Sequence, residues 1–124
     1  MKKIKFSKLN KTWFIDIDGV IFLHNGYLQE KDGLVDGVKE FLDRISPNDY
    51  IILTSAREKK FLVKTKIMLK RHSIRYDQII FDLPKGERIL VNDIKPGGLR
   101  TAFAINTKRD KFPKIIFEND SIDS

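Results

Sequence analysis

Two aspartates spaced two apart close an apolar run near the start of the chain, and a glycine comes directly after them. The run covers residues 12–17, and Asp16, Asp18 and Gly19 lie at its end. An ionised carboxylate beside an apolar core is costly unless a cation or hydrogen-bond donors satisfy it. Two carboxylates at a strand end are typical ligands of Mg²⁺, which prefers oxygen. The alternative interpretation is a turn, in which the aspartates only end the strand and Gly19 has positive φ.

Two further apolar runs also end on polar residues. Ser55 and Arg57 follow the run 50–54, and Asp93 closely follows the run 88–91. If these runs are parallel strands, their carboxyl ends share one edge of the sheet, where open α/β sheets bind ligands. That edge would combine three carboxylates for a divalent metal with a hydroxyl for a phosphate oxygen. These residues therefore form the candidate site.

Apolar runs alternate with amphipathic segments, which predicts an α/β fold built of parallel βαβ units. The single domain 1–124 is expected to have its core at about 12–106, followed by a tail, 107–124, that contains an edge strand. Residues 19–33 are expected to form only a small flap, since no insertion is large enough for a cap domain. Strands are predicted over 12–17, 50–54, 78–81, 88–91, 101–106 and 115–117, helices over 37–45 and 58–72, and a polar lead-in over 1–11.

The chain has 124 residues with 24 lysines and arginines against 17 acidic residues, which gives a net charge of +7. Such a charge attracts anions, including phosphorylated metabolites and nucleic acid. Many lysines fall in the helix predicted after residue 57, where they form either a solvated face or a contact surface for an anionic partner. The chain has no cysteine and no apolar run of the roughly 20 residues that cross a bilayer, so we expect a cytoplasmic protein without a membrane partner.

The strand ends resemble the motifs of the haloacid dehalogenase (HAD) superfamily of aspartate-nucleophile phosphatases. The resemblance covers about residues 12–106, and residues 84–109 are also similar to short HAD-like proteins encoded with surface-polysaccharide biosynthesis. It implies a three-layer, Rossmann-like parallel sheet of about five strands, with central order 3-2-1-4-5 and no large cap domain. The matching motifs are Asp16-Ile17-Asp18-Gly19-Val20, Ser55-Ala56-Arg57 and Asn92-Asp93.

The resemblance implies a role for each matching residue. Asp16 is expected to attack phosphorus and form an aspartyl-phosphate, and Asp18 to act as general acid and base. Mg²⁺ is the expected cofactor, held by Asp16, by the backbone carbonyl of Asp18 and by Asp93. Ser55 matches the hydroxyl that hydrogen-bonds the phosphoryl group, with Thr54 as the alternative if the strand ends one residue earlier.

The cation that binds the substrate phosphate has several candidates. The family places a lysine on a helix before the fourth strand, but residues 82–87 are too few for a normal crossover. Lys85 is the first candidate by its order in the sequence, followed by Lys95 and then Lys64. Arg57 is expected to bind phosphate or to orient the metal-binding aspartate of the fourth strand; alternatively, it pairs with a neighbouring carboxylate.

These observations predict a Mg²⁺-dependent phosphomonoester hydrolase that acts on a phosphorylated small molecule, with a sugar phosphate of glycan biosynthesis as one class. The open site and the charge of +7 leave a nucleotide or polynucleotide phosphatase as an alternative. The poor match for the lysine helix favours another alternative, a catalytically weak HAD-like subunit for binding or assembly. A second copy of the chain is a further expected partner, because a homo-oligomer would close the open site.

Overall fold

Five strands and two α-helices lie in the part of the chain that a computed structural model describes, residues 2–29 and 33–119. Residues 30–32 of the predicted flap and residues 120–124 of the predicted tail lie outside this part. The elements are β1 (Lys2–Phe6), β2 (Thr12–Asp16), α1 (Val38–Asp43), β3 (Tyr50–Thr54), α2 (Leu62–Arg71), β4 (Gln78–Ile80) and β5 (Ile115–Asn119), with short 3₁₀ turns at Gly26–Gln29 and Lys59–Phe61.

The strands belong to two units of the chain. The larger unit holds a sheet in the order β2-β3-β4, in which both neighbouring pairs are parallel. The predicted α/β class with parallel strands is therefore confirmed. Among the described residues, no helix has the length and hydropathy that spanning a bilayer requires. The larger unit comprises Asn10–Lys85 and Thr107–Phe112, and the smaller unit Met1–Leu9, Gly86–Asn106 and Pro113–Ser124.

The core of the larger unit lies between the sheet and its helices. Alternate residues of β2 and β3 bury their side chains, so that Ile15 is 7% exposed and Leu53 is 0% exposed. The ring of Phe41 in α1 meets the ring of Trp13 in β2 edge-on, with 5.5 Å between centroids. Leu69 of α2 is also fully buried. Burial of apolar area, at about 25 cal/mol per Å², is the main favourable contribution to this packing.

The opposite face of the β2-β3-β4 sheet is partly open. The connections from β2 to β3 and from β3 to β4 advance in the same direction, so right-handed crossovers put both helices on one face. The other face carries Phe14, which is 58% exposed, and Ile80, which is 36% exposed. This sheet therefore differs from the usual parallel sheet, which is covered on both faces.

In the smaller unit, β1 and β5 form a parallel pair in which Ile4 lies opposite Phe117. The ring of Phe6 packs edge-on against Phe103 at 5.5 Å and lies 6.1 Å from the ring of Phe117. β5 covers the run 115–117 that the sequence predicts as a strand. β1 lies where the sequence predicts only a polar lead-in, because its strand character depends on a partner more than 100 residues away.

Residues 88–91 and 101–106, both predicted as strands, form no strand in the described part of the chain. The side chains of Ile89 and Val91 are 85% and 91% exposed, so the first of these runs is not buried. For residues 88–91 the connection explains the difference, since residues 81–87 are fewer than the roughly one dozen that a parallel crossover needs. A short apolar run is in any case a weak indication of a strand.

Asp49 ties the start of β2 to the turn before β3. Its carboxylate accepts hydrogen bonds from the backbone N–H of Lys11 and from Nε1–H of Trp13, both at 2.9 Å. Its backbone carbonyl accepts a hydrogen bond from Arg75 at 3.2 Å. Asp49 is only 7% exposed, so water does not readily replace these contacts.

Replacing Asp49 by alanine is expected to lower the free energy of unfolding by about 2–4 kcal/mol, because two donors lose a charged acceptor inside the protein. Urea denaturation followed by circular dichroism measures the change. Glu40→Ala, at an exposed position of α1, is the control and should stay within about 0.5 kcal/mol of wild type. Equal stability of Asp49→Ala and wild type would contradict this role for Asp49.

Candidate functional site

The carboxyl ends of β2 and β3 lie side by side. Asp16, the last residue of β2, is the register partner of Thr54, the last residue of β3. The backbone N–H of Ile17 donates to the carbonyl of Thr54 at 3.0 Å, so the pairing extends one residue beyond β2. Because register partners point to the same face of a sheet, the Asp16 carboxyl group and the Thr54 hydroxyl group share one side of this edge. The structure thus brings the ends of the first two predicted motifs together.

The chain turns sharply after β2. The carbonyl of Ile17 accepts hydrogen bonds from the N–H groups of Ile21 and Phe22, both at 3.0 Å. Gly19 donates to the carbonyl of Phe22 at 2.7 Å and has a φ of +81°. A Cβ at Gly19 would lie 3.4 Å from Cγ of Arg109, so glycine is the residue that this backbone accepts most easily. The predicted turn is therefore present, and it is compatible with a binding role for the aspartates.

Asp18 forms a largely buried ion pair with Arg57, the residue that ends the second motif. Nε of Arg57 donates to both carboxylate oxygens of Asp18, at 3.2 and 3.0 Å, and Nη2 donates to Oδ1 at 2.9 Å. The Arg57 side chain is 0% exposed and the Asp18 side chain is 18% exposed. A bidentate pair of this kind fixes the orientation of both groups. Of the alternatives predicted for Arg57, these contacts correspond to the third, an ion pair with a neighbouring carboxylate.

The rest of the Arg57 guanidinium is enclosed by the flap and by α2. Nη1 donates to Oγ1 of Thr65, within α2, at 2.8 Å. Cζ lies 4.2 Å from the ring centroid of Tyr27 and 5.7 Å from that of Phe22. A cation removed from water is stable only with partners of this kind, because its desolvation costs several kcal/mol. Arg57 therefore links the turn after β2, the flap and α2.

Ser55 directly follows Thr54 and is fully buried. Its Oγ accepts a hydrogen bond from the backbone N–H of Arg57 at 2.9 Å. The N–H of Leu83 donates to the Ser55 carbonyl at 3.1 Å, so the loop after β4 is held against this strand end. Lys85 follows two residues later in the same loop, and it is exposed. The cation of Lys85 is therefore only two residues from Leu83, which contacts the end of β3.

Three predicted site residues remain, namely Lys64, Asp93 and Lys95. Nζ of Lys64 donates to the backbone carbonyl of Tyr27 at 2.9 Å and so holds the flap against α2. Asp93 and Lys95 belong to the smaller unit, and their part in the site stays a prediction. Within the described residues, no group of three or more His, Asp or Glu residues is arranged to hold a metal ion.

Sequence reasoning missed the segment Thr107–Phe112, which packs on the turn after β2. The N–H of Asp110 donates to the carbonyl of Gly19 at 2.9 Å, and Oδ1 of Asp110 accepts from the N–H of His24 at 2.7 Å. Arg109, beside Gly19, adds an exposed cation to this turn. No local signal identifies these residues, because the contact with His24 joins positions 86 apart in the chain.

This edge of the sheet combines an exposed carboxylate with exposed cations on neighbouring segments, beside two buried hydroxyl groups, of which that of Thr54 shares the side of Asp16. The combination suits an anionic ligand, because phosphate oxygens accept hydrogen bonds from cations and from hydroxyl groups. Comparison with protein-family models, with curated proteins and with solved structures finds no match for the chain. The function of the site is therefore argued from its geometry and its sequence motifs.

Proposed function

We propose that the chain is a Mg²⁺-dependent phosphomonoester hydrolase of the HAD type, which forms an aspartyl-phosphate on Asp16. Its substrate is a phosphorylated small molecule, with a sugar phosphate of glycan biosynthesis as the first class to test. The observation that carries the proposal is the register of Asp16 with Thr54 at the carboxyl end of a parallel sheet. Open α/β sheets bind their ligands at this end.

The strand order supports the fold that this proposal entails. Read from β4 to β2, the sheet of the larger unit runs β4-β3-β2. This is the 3-2-1 half of the order 3-2-1-4-5 expected for the family. The other half of that order is not formed by the described residues, because residues 88–91, expected as the fourth strand, form no strand. The part that Asp93 plays in the site rests on its sequence motif alone.

Mg²⁺ would be held by the carboxylate of Asp16, the backbone carbonyl of Asp18 and the carboxylate of Asp93. These donors are all oxygen, which fits the preference of the ion. The Asp16 side chain is exposed at the sheet edge. Both carboxylate oxygens of Asp18 already accept hydrogen bonds from Arg57, so its carbonyl is the more suitable ligand. When bound, the ion supplies positive charge that reduces repulsion between the carboxylates and the phosphate.

The chain's own residues would carry out two chemical steps. A carboxylate oxygen of Asp16 attacks phosphorus, and the bond from phosphorus to the ester oxygen breaks while Asp18 donates a proton to that oxygen. Water then attacks the phosphorus of the aspartyl-phosphate, and Asp18 accepts the proton that the water loses. The bond from phosphorus to the Asp16 oxygen breaks and inorganic phosphate leaves. The hydroxyl of Thr54 or Ser55 donates to the phosphoryl oxygens in both steps.

Arg57 is a positioning residue in this mechanism, because its side chain contacts Asp18 and is shielded from solvent. A proton on Asp18 removes the negative charge that pairs with Arg57, so the contact is expected to weaken when Asp18 is protonated during turnover. Because Arg57 is shielded from solvent, we expect exposed cations to contact the substrate phosphate instead. Lys85, in the loop after β4, and Arg109, beside the turn after β2, are the residues that we assign to it.

A panel of phosphomonoesters, assayed for phosphate release with and without Mg²⁺, tests the proposal. At least one member is expected to be hydrolysed, and removal of the metal by EDTA should lower the rate by about 100-fold or more. The melting temperature measured with EDTA shows whether the protein stays folded. Failure to release phosphate from every member in the presence of Mg²⁺ would contradict the proposal.

A catalytically weak HAD-like subunit for binding or assembly is the second candidate. The observation that favours it is the Asp18–Arg57 pair, which engages the carboxylate that the acid step needs. Isothermal titration calorimetry with Mg²⁺ and with inorganic phosphate separates the two candidates when it is run beside the panel. Binding without turnover would favour the subunit, whereas binding with turnover would favour the hydrolase.

A further inference from the structure

The segment around α2 concentrates the positive charge of the chain. Between Glu58 and Asp77 there are seven lysines and arginines and no acidic residue, which equals the net charge of +7. Lys66 and Lys70 lie one turn apart on α2 and are exposed. Neither forms an ion pair with the described residues. Charge of one sign without a compensating acid attracts an anionic partner.

Aliphatic side chains lie among these lysines. Val63 is 66% exposed and Ile67 is 53% exposed, with one helical turn between them. The spacing i, i+3, i+4, i+7 puts Val63, Lys66, Ile67 and Lys70 on one side of the helix, which we name the α2 face. The opposite side of α2 is buried through Leu69, so the exposed aliphatic pair is not part of the core.

The α2 face continues into an open depression of about 620 Å³. Ser73 and Tyr76 contribute hydroxyl groups there, which donate hydrogen bonds to anions as the ammonium groups do. Lys39 donates to the carbonyl of Ser73 at 3.0 Å and pairs with Asp43 at 2.6 Å, so this nearby acid already has a cation. The residues that line the depression are Lys66, Lys70, Ser73, Ile74 and Tyr76.

We propose that the α2 face binds an acidic protein segment that also carries aliphatic side chains. The carboxylates of the segment pair with Lys66 and Lys70 and enter the depression, while its aliphatic groups cover Val63 and Ile67. An apolar centre with a polar rim is the usual anatomy of a protein interface. The proposal is independent of the hydrolase activity proposed above.

Other occupants match the α2 face less well. Single-stranded nucleic acid uses aromatic groups for base stacking, yet the groups between the lysines are aliphatic. A helix that lies on a membrane inserts a broad apolar side, whereas the apolar side of α2 with Leu69 is already buried in the protein. A second copy of the chain carries the same charge of +7, and like charges repel across an interface.

Fluorescence anisotropy of the full chain with a labelled peptide of repeated Glu-Leu-Glu-Glu tests the proposal. Lys66→Glu/Lys70→Glu should weaken binding at least about tenfold, because reversing both charges replaces attraction by repulsion. Lys8→Glu/Lys114→Glu is the matched control, since it changes the net charge equally at exposed positions elsewhere. It should weaken binding less than about twofold, because neither lysine belongs to the α2 face.

A second variant tests the aliphatic contribution. Val63→Ser/Ile67→Ser should weaken binding of the Glu-Leu peptide about fivefold or more and leave binding of a poly-Glu peptide of the same length unchanged. Equal weakening by the charge-matched control would overturn the proposal. Tighter binding to oligo-dT or to phosphatidylserine vesicles than to the Glu-Leu peptide would also overturn it, as would the absence of peptide binding to the wild-type chain.

Discussion

Replacing Asp16 by asparagine is expected to lower kcat for phosphomonoester hydrolysis on the order of 10⁴-fold or more, because the amide cannot form the aspartyl-phosphate. The measurement is phosphate release from p-nitrophenyl phosphate, or from the best member of the panel, at saturating Mg²⁺. Asp16 is exposed at the end of β2, so the substitution should leave the melting temperature nearly unchanged. Loss of rate without loss of fold is expected of a residue that acts in the chemical step or binds the metal ion.

Asp36→Asn is the matched control, since it removes the same charge from an exposed turn before α1. Its kcat should stay within about twofold of wild type, because an exposed acid outside the site makes no interaction specific to the transition state. Hydrolysis by Asp16→Asn at the wild-type rate would remove Asp16 from the mechanism. Mass spectrometry of acid-quenched protein adds a direct test, because an aspartyl-phosphate is expected on wild type and not on Asp16→Asn.

Replacing Arg57 by methionine is expected to lower the free energy of unfolding by about 3–5 kcal/mol, because the Asp18 carboxylate would remain largely buried without its cation. For a chain of this size the melting temperature should fall on the order of 10–20 °C. Urea and thermal denaturation followed by circular dichroism measure both quantities. Tyr27 and Thr65 lose their contact with the guanidinium as well, so the flap is expected to loosen from α2.

Arg71→Met, at an exposed position of α2, is the control and should change stability by less than about 0.5 kcal/mol. The double variant Asp18→Asn/Arg57→Met should be more stable than Arg57→Met by about 1–2 kcal/mol, because it no longer buries an unpaired carboxylate. Wild-type stability of Arg57→Met would show that the pair does not hold the turn. Strict additivity of the two substitutions would show that their interaction carries no free energy.

The sheet of the larger unit can be predicted from the amino-acid sequence alone. The apolar runs at 12–17, 50–54 and 78–81 became β2, β3 and β4 with boundaries shifted by no more than one residue. Amphipathic segments between the runs require parallel strands, because a helix returns the chain to the same end of the sheet. That direction alone puts Asp16 and Thr54 on the same edge, so this part of the candidate site could be predicted without coordinates.

The contacts of Arg57, in contrast, depend on how distant segments pack in the folded protein. The local sequence left a phosphate, the fourth-strand aspartate and a neighbouring carboxylate as alternatives. Tyr27 and Thr65 enclose the guanidinium, and a cation in such surroundings needs a carboxylate within reach, which is Asp18. The contact of Asp110 with the turn after β2 could not be predicted either, because it depends on how the distant segment Thr107–Phe112 packs on this turn.

Which of the extended runs become strands also depends on the fold as a whole. Residues 88–91 and 101–106 contain more apolar side chains than β1, yet they form no strand in the described part of the chain. β1 contains three lysines and pairs with β5 along its whole length. A strand is stabilised by the partner strand that completes its hydrogen bonds and covers its side chains. The local sequence pattern does not show which distant segment will be that partner. Local pattern therefore sufficed where helices brought successive strands together, and failed where pairing joined the two ends of the chain.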